Sequence, residues 1–222
     1  MTQPALHGEI QPFLCTLARM AEAAKELGGE FILSRHLGWA NWSDGLALRR
    51  CIKKWAPGVY SVPVLNGPAC ANLVNAGDVW GYDPNVDEEP EFQIPEIVLA
   101  HKHPPTHAEC MAVWEMVLAP LFQILYRLEP EEVTSIQLTR YTPENTSKGN
   151  WHRDEDSDCT AVINLGSRHT GGGTKLFVDG RPLFVPPLPT GHALLFLGRS
   201  TLHCGAEITE GQRDLLVFWS KL

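Results

Sequence analysis

No C-x-x-C pair occurs among the six cysteines (Cys15, Cys51, Cys70, Cys110, Cys159 and Cys204). Their scatter reads as buried free thiols in a reducing compartment, not as a disulfide framework. No apolar run approaches the ~20 residues of a membrane span. The opening MTQPALHGEI has neither the basic start nor the apolar stretch of a secretory signal, so a cytoplasmic protein without a membrane partner is expected. Positive charge is also scarce. With 18 Lys and Arg against 26 Asp and Glu the formal net charge is −8, which argues against nucleic acid as a partner and suits a neutral or cationic substrate. Gly171-Gly172-Gly173 lacks the Gly-Lys-Ser/Thr of a phosphate loop and reads as a turn entering a strand. No G-x-S-x-G elbow supports a hydrolase. Internal repeats and low-complexity tracts are lacking too.

What is there is an ordinary globule. A chain of 222 residues, 44% hydrophobic and 20% charged, makes one domain with at most a small extension. Apolar residues from Phe13 to Leu27 recur at helical spacing, and Gly28-Gly29 stops that helix. A second helix is expected from Leu46 to Trp55, its Arg49, Arg50, Lys53 and Lys54 facing water. Val59 to Leu65 reads as a strand, and Asn66-Gly67-Pro68 opens a short helix to about Asn75. Residues 78–105, rich in proline and acid, read as one long irregular connection. Thr106 and Glu109 form a capping box ahead of a helix from Met111 to Leu128 with a kink at Pro120.

Beyond Glu132 the grammar changes to short β-rich runs over 133–141, 160–165, 174–178, 181–185, 193–197, 202–208 and 213–220, separated by Gly, Pro and Asp turns. That rhythm belongs to a sandwich or barrel. Helices followed by strands give an α+β protein, its helices packed on one face.

Three features in this half carry chemistry. His152 and Asp154 form an H-x-D, whose first and third side chains share one face if the segment is a strand. His203 follows 51 residues later on another expected strand. Two histidines and one carboxylate on one face of an ion form the facial triad of non-haem Fe(II) oxygenases, with open positions for a chelating co-substrate and O2. Arg213 lies ten residues beyond His203. A hairpin turning at Thr209-Glu210-Gly211 would place it beside the metal strand, where a guanidinium needs a carboxylate partner. Asp156 and Asp158 are competing carboxylates, but only Asp154 is two residues from His152. His101, His103, His107, His169 and His192 read as surface or packing residues.

The runs Gly172-Gly173-Thr174-Lys175-Leu176-Phe177, Pro189-Thr190-Gly191-His192-Ala193-Leu194-Leu195-Phe196 with Gly198-Arg199, and His203-Cys204-Gly205 through Gly211-Gln212-Arg213 resemble the catalytic domain of 2-oxoglutarate/Fe(II) dioxygenases. Among these the procollagen lysyl hydroxylase and prolyl 4-hydroxylase group is most similar. The resemblance spans 59–222 and leaves 1–58 as an N-terminal helical extension. It implies a double-stranded β-helix (jelly roll), Fe(II) held by His152, Asp154 and His203, and 2-oxoglutarate held through its distal carboxylate by Arg213. Tyr141 matches a tyrosine that often hydrogen-bonds the same carboxylate. Leu215 departs from the pattern, since many relatives carry Ser two residues after the arginine. The implied activity is hydroxylation of a protein or peptide side chain of Lys or Pro type, with O2 and 2-oxoglutarate consumed. The alternatives are the same chemistry on a free amino acid, another small molecule or a nucleobase, and a cupin-like module that binds without turnover.

Overall fold

Alternation of side chains decides the architecture. The computed structural model describes residues 5–28, 42–86, 88–166 and 168–222. In chain order come α1 (Leu14–Leu27), α2 (Trp42–Cys51), β1 (Lys53–Ala56), β2 (Val59–Pro63) and α3 (Gly67–Trp80). Then follow β3 (Glu96–Val98), α4 (Leu99–Lys102), α5 (Pro104–Val113), a π turn (Trp114–Leu118) and α6 (Ala119–Tyr126). The strands of the second half are β4 (Glu132–Tyr141), β5 (Cys159–Asn164), β6 (His169–Gly171), β7 (Thr174–Val178) and β8 (Arg181–Val185). Last come β9 (His192–Phe196), β10 (Leu202–Gly205), β11 (Ile208–Gly211) and β12 (Arg213–Lys221).

Seven strands form an antiparallel sheet in the order β1-β2-β9-β5-β12-β4-β3, beside a three-stranded sheet β10-β7-β8 and the pair β11-β6. In β12 the period of two sends Leu216 and Phe218 to one face and Leu215 and Val217 to the other. Leu216 and Phe218 join Leu138, Ala161, Ile163 and Leu195 in a core shared with Leu17 and Met20 of α1 and with Leu118, Leu121 and Phe122. Each such side chain contributes ~1.5–3 kcal/mol by leaving water. On the opposite face Val59, Leu194 and Phe196 pack against Leu176 and Val185 of the three-stranded sheet. The result is a mixed α+β fold of helices, large sheet and small sheet in layers.

Several local expectations are corrected. Lys53–Ala56 is not the end of a helix: Lys53 pairs with Ser61 and Lys54 with Tyr60 across the turn at Gly58. Pairing with a sheet edge overrides the helical pattern, and this hairpin crosses the boundary expected at 58/59. Gly28 caps α1 at φ 50°; Gly29 lies outside the described residues. The helix after Asn66 runs on to Trp80, with the Asn66 side chain accepting from the Ala69 amide at 2.8 Å. The connection 78–105 is not irregular throughout: α3 runs into it as far as Trp80, Pro90–Phe92 forms a 3-10 turn, and β3 and α4 occupy its second half.

Thr106 does not cap the next helix. That helix starts at Pro104; His103 is its cap, accepting from the Thr106 amide at 3.3 Å while its ring stacks on Trp80 at 4.4 Å. At Pro120 the chain answers the missing N–H with the preceding π turn. The continuous helix Pro104–Tyr126 is, by length and composition alone, long and apolar enough to cross a membrane, with mean hydropathy 1.4 over its most apolar stretch. Glu109 and Glu115 interrupt its apolar run, and Val113, Val117, Leu118 and Leu121 lie in the core. All six cysteines are free and four are buried.

Candidate active site

His203 sits on β10, facing Leu176 of β7 in the small sheet. The H-x-D is not a regular strand, as its spacing had suggested. His152 and His203 form an isolated antiparallel bridge, each amide donating to the other's carbonyl at 3.0 and 2.9 Å. The chain then turns, and the Asp154 amide donates to Gly198 O at 3.2 Å. The three side chains thus converge through a one-residue bridge and a turn. Their ligand atoms all lie within 4.8 Å of one another.

Both imidazoles are aimed in the same way. Nδ1 of His152 lies 3.1 Å from Asn150 O, and Nδ1 of His203 lies 2.9 Å from Thr201 O. A carbonyl can only accept, so each Nδ1 carries the proton and each neutral ring keeps its Nε2 lone pair free for a metal. The two Nε2 atoms lie 3.3 and 3.5 Å from Oδ1 of Asp154. Its Oδ2 accepts from Thr160 Oγ1 at 2.6 Å, which turns Oδ1 toward the histidines. Burial works to raise the Asp154 pKa, but the adjacent His152 and His203 rings and the hydrogen bond from Thr160 hold it below the ordinary carboxylate value. Burial holds His203 below the usual histidine value. At His152 burial acts the same way but is outweighed by Asp154 and the Asn150 carbonyl, leaving its pKa raised. The competing acids are engaged elsewhere, Asp156 with Lys221 and Asp158 with Arg199, both at 2.7 Å.

Arg213 reaches this site from the facing sheet. The hairpin expected between His203 and Arg213 does not form, because 208–211 is strand β11 paired with β6 and β12 belongs to the large sheet. Arg213 is 5% exposed, and its Nη1 is buried without a hydrogen-bond partner among the described residues. Burial lowers its pKa. A guanidinium so placed calls for an anion. Tyr141 is its direct partner across β4 and β12, and the guanidinium lies 5.3 Å from the tyrosine ring centre. The Tyr141 hydroxyl packs so closely on Gly205 that a Cβ there would come within 2.7 Å of it.

One cavity of about 620 Å³ is lined by all five residues, with Thr160, Val162, Thr174 and Phe196 among its walls and Asn85, Glu88, Phe92 and Ile94 along its lip. A groove of about 610 Å³ between α1 and the π turn and α6 contains none of them. Among the other histidines, His192 packs edge-on against His7 at 5.5 Å and His169 turns Nδ1 to Gly171 O at 3.2 Å. Gly171, Gly172 and Gly173 form the turn expected before β7, all at positive φ. Sequence reasoning missed Thr160 and the Asn150 and Thr201 carbonyls, and marked the lip only as part of the long connection 78–105. Thr160 alone left a signal, since it shares the inward parity of Val162.

Two imidazole nitrogens and one carboxylate oxygen suit a divalent first-row metal and leave coordination positions open. The chain matches no protein-family model and no curated protein. Solved structures do resemble it. A Pseudomonas putida prolyl-4-hydroxylase is 19% identical over 75% of this chain and 94% of its own, with a TM-score of 0.60. An oxidoreductase of the 2OG-Fe(II) oxygenase family from Burkholderia pseudomallei is 16% identical over 74% and 85%, with a TM-score of 0.59. A Trichoplax adhaerens prolyl hydroxylase, in complex with a hypoxia inducible factor oxygen degradation domain peptide fragment, is 11% identical over 93% and 92%, with a TM-score of 0.59. At these identities the likeness establishes a shared fold.

Proposed function

We propose that this protein is a 2-oxoglutarate- and Fe(II)-dependent oxygenase that hydroxylates a protein or peptide side chain of Pro or Lys type. Its two facing sheets are read as the walls of a double-stranded β-helix. The observation that carries this reading is one cavity holding both a His-Asp-His triad and a buried guanidinium whose Nη1 has no hydrogen-bond partner among the described residues. Each half of that pair explains the other. A metal with open positions can take one end of a dicarboxylate, and Arg213 can take the other end.

His152, Asp154 and His203 would hold Fe(II). When bound with 2-oxoglutarate and O2, it supplies the oxidising power: 2-oxoglutarate leaves as succinate and CO2, and the second oxygen atom enters a substrate C–H bond as hydroxyl. The chain's own groups bind, orient and exclude water. Carbonyls at Asn150 and Thr201 keep both Nε2 atoms unprotonated, and Thr160 keeps Asp154 Oδ1 turned inward. Arg213 offers a planar fork to the distal carboxylate, and the Tyr141 hydroxyl donates to it. Val162, Phe196 and Leu215 dry the surrounding wall. The peptide assignment draws on the prolyl hydroxylases that share the fold, one of them with a peptide fragment bound.

The test is succinate formation from 2-oxoglutarate under air with added Fe(II), with and without proline- and lysine-containing peptides. Succinate that depends on Fe(II), is stimulated by peptide and accompanies a peptide gaining one oxygen atom is the expected result. Metal and 2-oxoglutarate binding without any succinate would instead assign a binding module.

A further inference from the structure

The lip of the cavity is joined to the metal triad through Asn150. The segment from Asp83 to Glu96 is closed at its base by two backbone hydrogen bonds, Asp83 N to Glu96 O at 3.0 Å and Glu96 N to Asp83 O at 2.8 Å. Two side-chain contacts hold it to the loop that leads into His152. Buried Thr146 donates from Oγ1 to Gln93 O at 3.0 Å, and Asn150 donates from Nδ2 to Glu88 Oε2 at 3.0 Å. Gln93 Nε2 in turn donates to Glu88 O at 3.0 Å, so the two contacts brace one another.

Asn150 therefore has two ends in use. Its side chain is held by the lip, and its carbonyl accepts the Nδ1 proton of His152. His203 is oriented by a carbonyl too, but from inside the β10 approach, where its side chain is only 9% exposed. The His152 side chain is 34% exposed and belongs to no regular strand. It is the triad member with least packing to hold it. Glu88 also lines the cavity itself, beside His152.

We propose that Glu88 is a positioning residue for the metal centre. Through Asn150 it holds the carbonyl that aims His152, so an ordered lip and an aligned metal ligand are two aspects of one state. This rests on the metal reading of the triad given above. Partners that orient a ligating histidine change metal affinity by about 10- to 100-fold when removed. Coupling of this kind is reciprocal: if the lip strengthens metal binding, the metal must order the lip by the same factor.

The experiment uses Mn(II) and the full chain. Mn(II) affinity is measured by calorimetry, and hydrogen exchange of the 88–96 amides is followed with and without the metal. In the wild type, Mn(II) should slow exchange in the lip. Glu88→Ala and Asn150→Ala should each bind Mn(II) about tenfold more weakly and lose that slowing. The double variant should be no worse than either single one, because both remove the same link. Glu88→Gln keeps an acceptor for Asn150 Nδ2 and should restore most of both effects, which a merely destabilised fold would not. Wild-type affinity in Glu88→Ala, or metal-induced slowing that persists there, overturns the positioning role and leaves the triad standing. A wild type that binds no Mn(II) overturns the triad and the positioning role together.

Discussion

Replacing Gly198 by alanine should disable the metal site without touching a ligand. Gly198 lies behind Asp154, and a Cβ placed on it would overlap both Asp154 Oδ2 and Thr160 Oγ1 and stand 3.0 Å from Asp154 Cβ. Its φ is not positive, so the backbone itself accepts alanine and the conflict is purely steric. To restore an ordinary contact the carboxylate must retreat by about 1 Å, several times the ~0.2 Å tolerance of a ligand distance. The Thr160 hydrogen bond that orients Oδ1 must also break. Overpacking of this kind costs ~1–3 kcal/mol of stability, and mispositioning a ligand costs about 10- to 100-fold in metal affinity. Gly67→Ala is the control: its Cβ meets open space, and stability should change by less than ~1 kcal/mol. Calorimetric titration with Mn(II), read beside thermal unfolding of the metal-free protein, separates the two effects. A folded Gly198→Ala protein that binds Mn(II) within about twofold of wild type would refute the reasoning, since the stated ~10-fold floor would be missed.

Asp154→Ala should abolish Mn(II) binding, whereas Asp156→Ala and Asp158→Ala, which break outlying pairs with Lys221 and Arg199 and, for Asp158, a hydrogen bond from the Leu222 amide, should leave Mn(II) affinity within about twofold of wild type; calorimetry on the three variants decides it. Tyr141→Phe removes one hydrogen bond to an ionised carboxylate and should weaken 2-oxoglutarate by roughly 10- to 100-fold at unchanged Mn(II) affinity; an unchanged co-substrate affinity removes Tyr141 from the site. The metal-free protein should lose stability as the pH falls below 6.5. Burial is the first cause of the lowered pKa at His169, His192 and His203, so each contributes stability above 6.5 that is lost as the pH drops toward its folded value. His152, raised, acts in the opposite sense. Thermal unfolding between pH 8 and 5.5 should therefore show a falling midpoint, and a rising one would contradict the burial of these rings.

Most strands of the second half were legible because alternation and turn residues are local signals: 174–178 and 181–185 stand where the sequence places them, whereas β6 was not expected and the run 202–208 ends at Gly205, with β11 beginning at Ile208. The triad was legible as a residue set but not as a geometry. Its convergence comes from a bridge between residues 51 apart in sequence, which no spacing rule reports. Arg213 shows the same limit. Its need for an anion, once buried, follows from its residue type, yet its burial and its place on the opposite sheet depend on β11 pairing with β6, a long-range choice. Lys53–Ala56 misled because an edge strand takes its conformation from its neighbour, here β2, and not from its own periodicity. The His103 cap stayed hidden because imidazole is an uncommon capping group and the Thr106–Glu109 pattern next to it is a familiar one.

The central claim is that the triad and Arg213 together receive 2-oxoglutarate, and its most direct test is anaerobic calorimetry of 2-oxoglutarate binding. Titration into Mn(II)-loaded wild type should show one site, and chelating the metal should abolish it. Arg213→Ala should keep its Mn(II) affinity but lose ~2–5 kcal/mol toward 2-oxoglutarate, roughly 30-fold to several thousand-fold, because a desolvated charge pair has lost one member. Arg213→Lys, which keeps the charge but not the planar fork, should fall between the two. Metal-independent binding, or wild-type affinity in Arg213→Ala, would contradict the account.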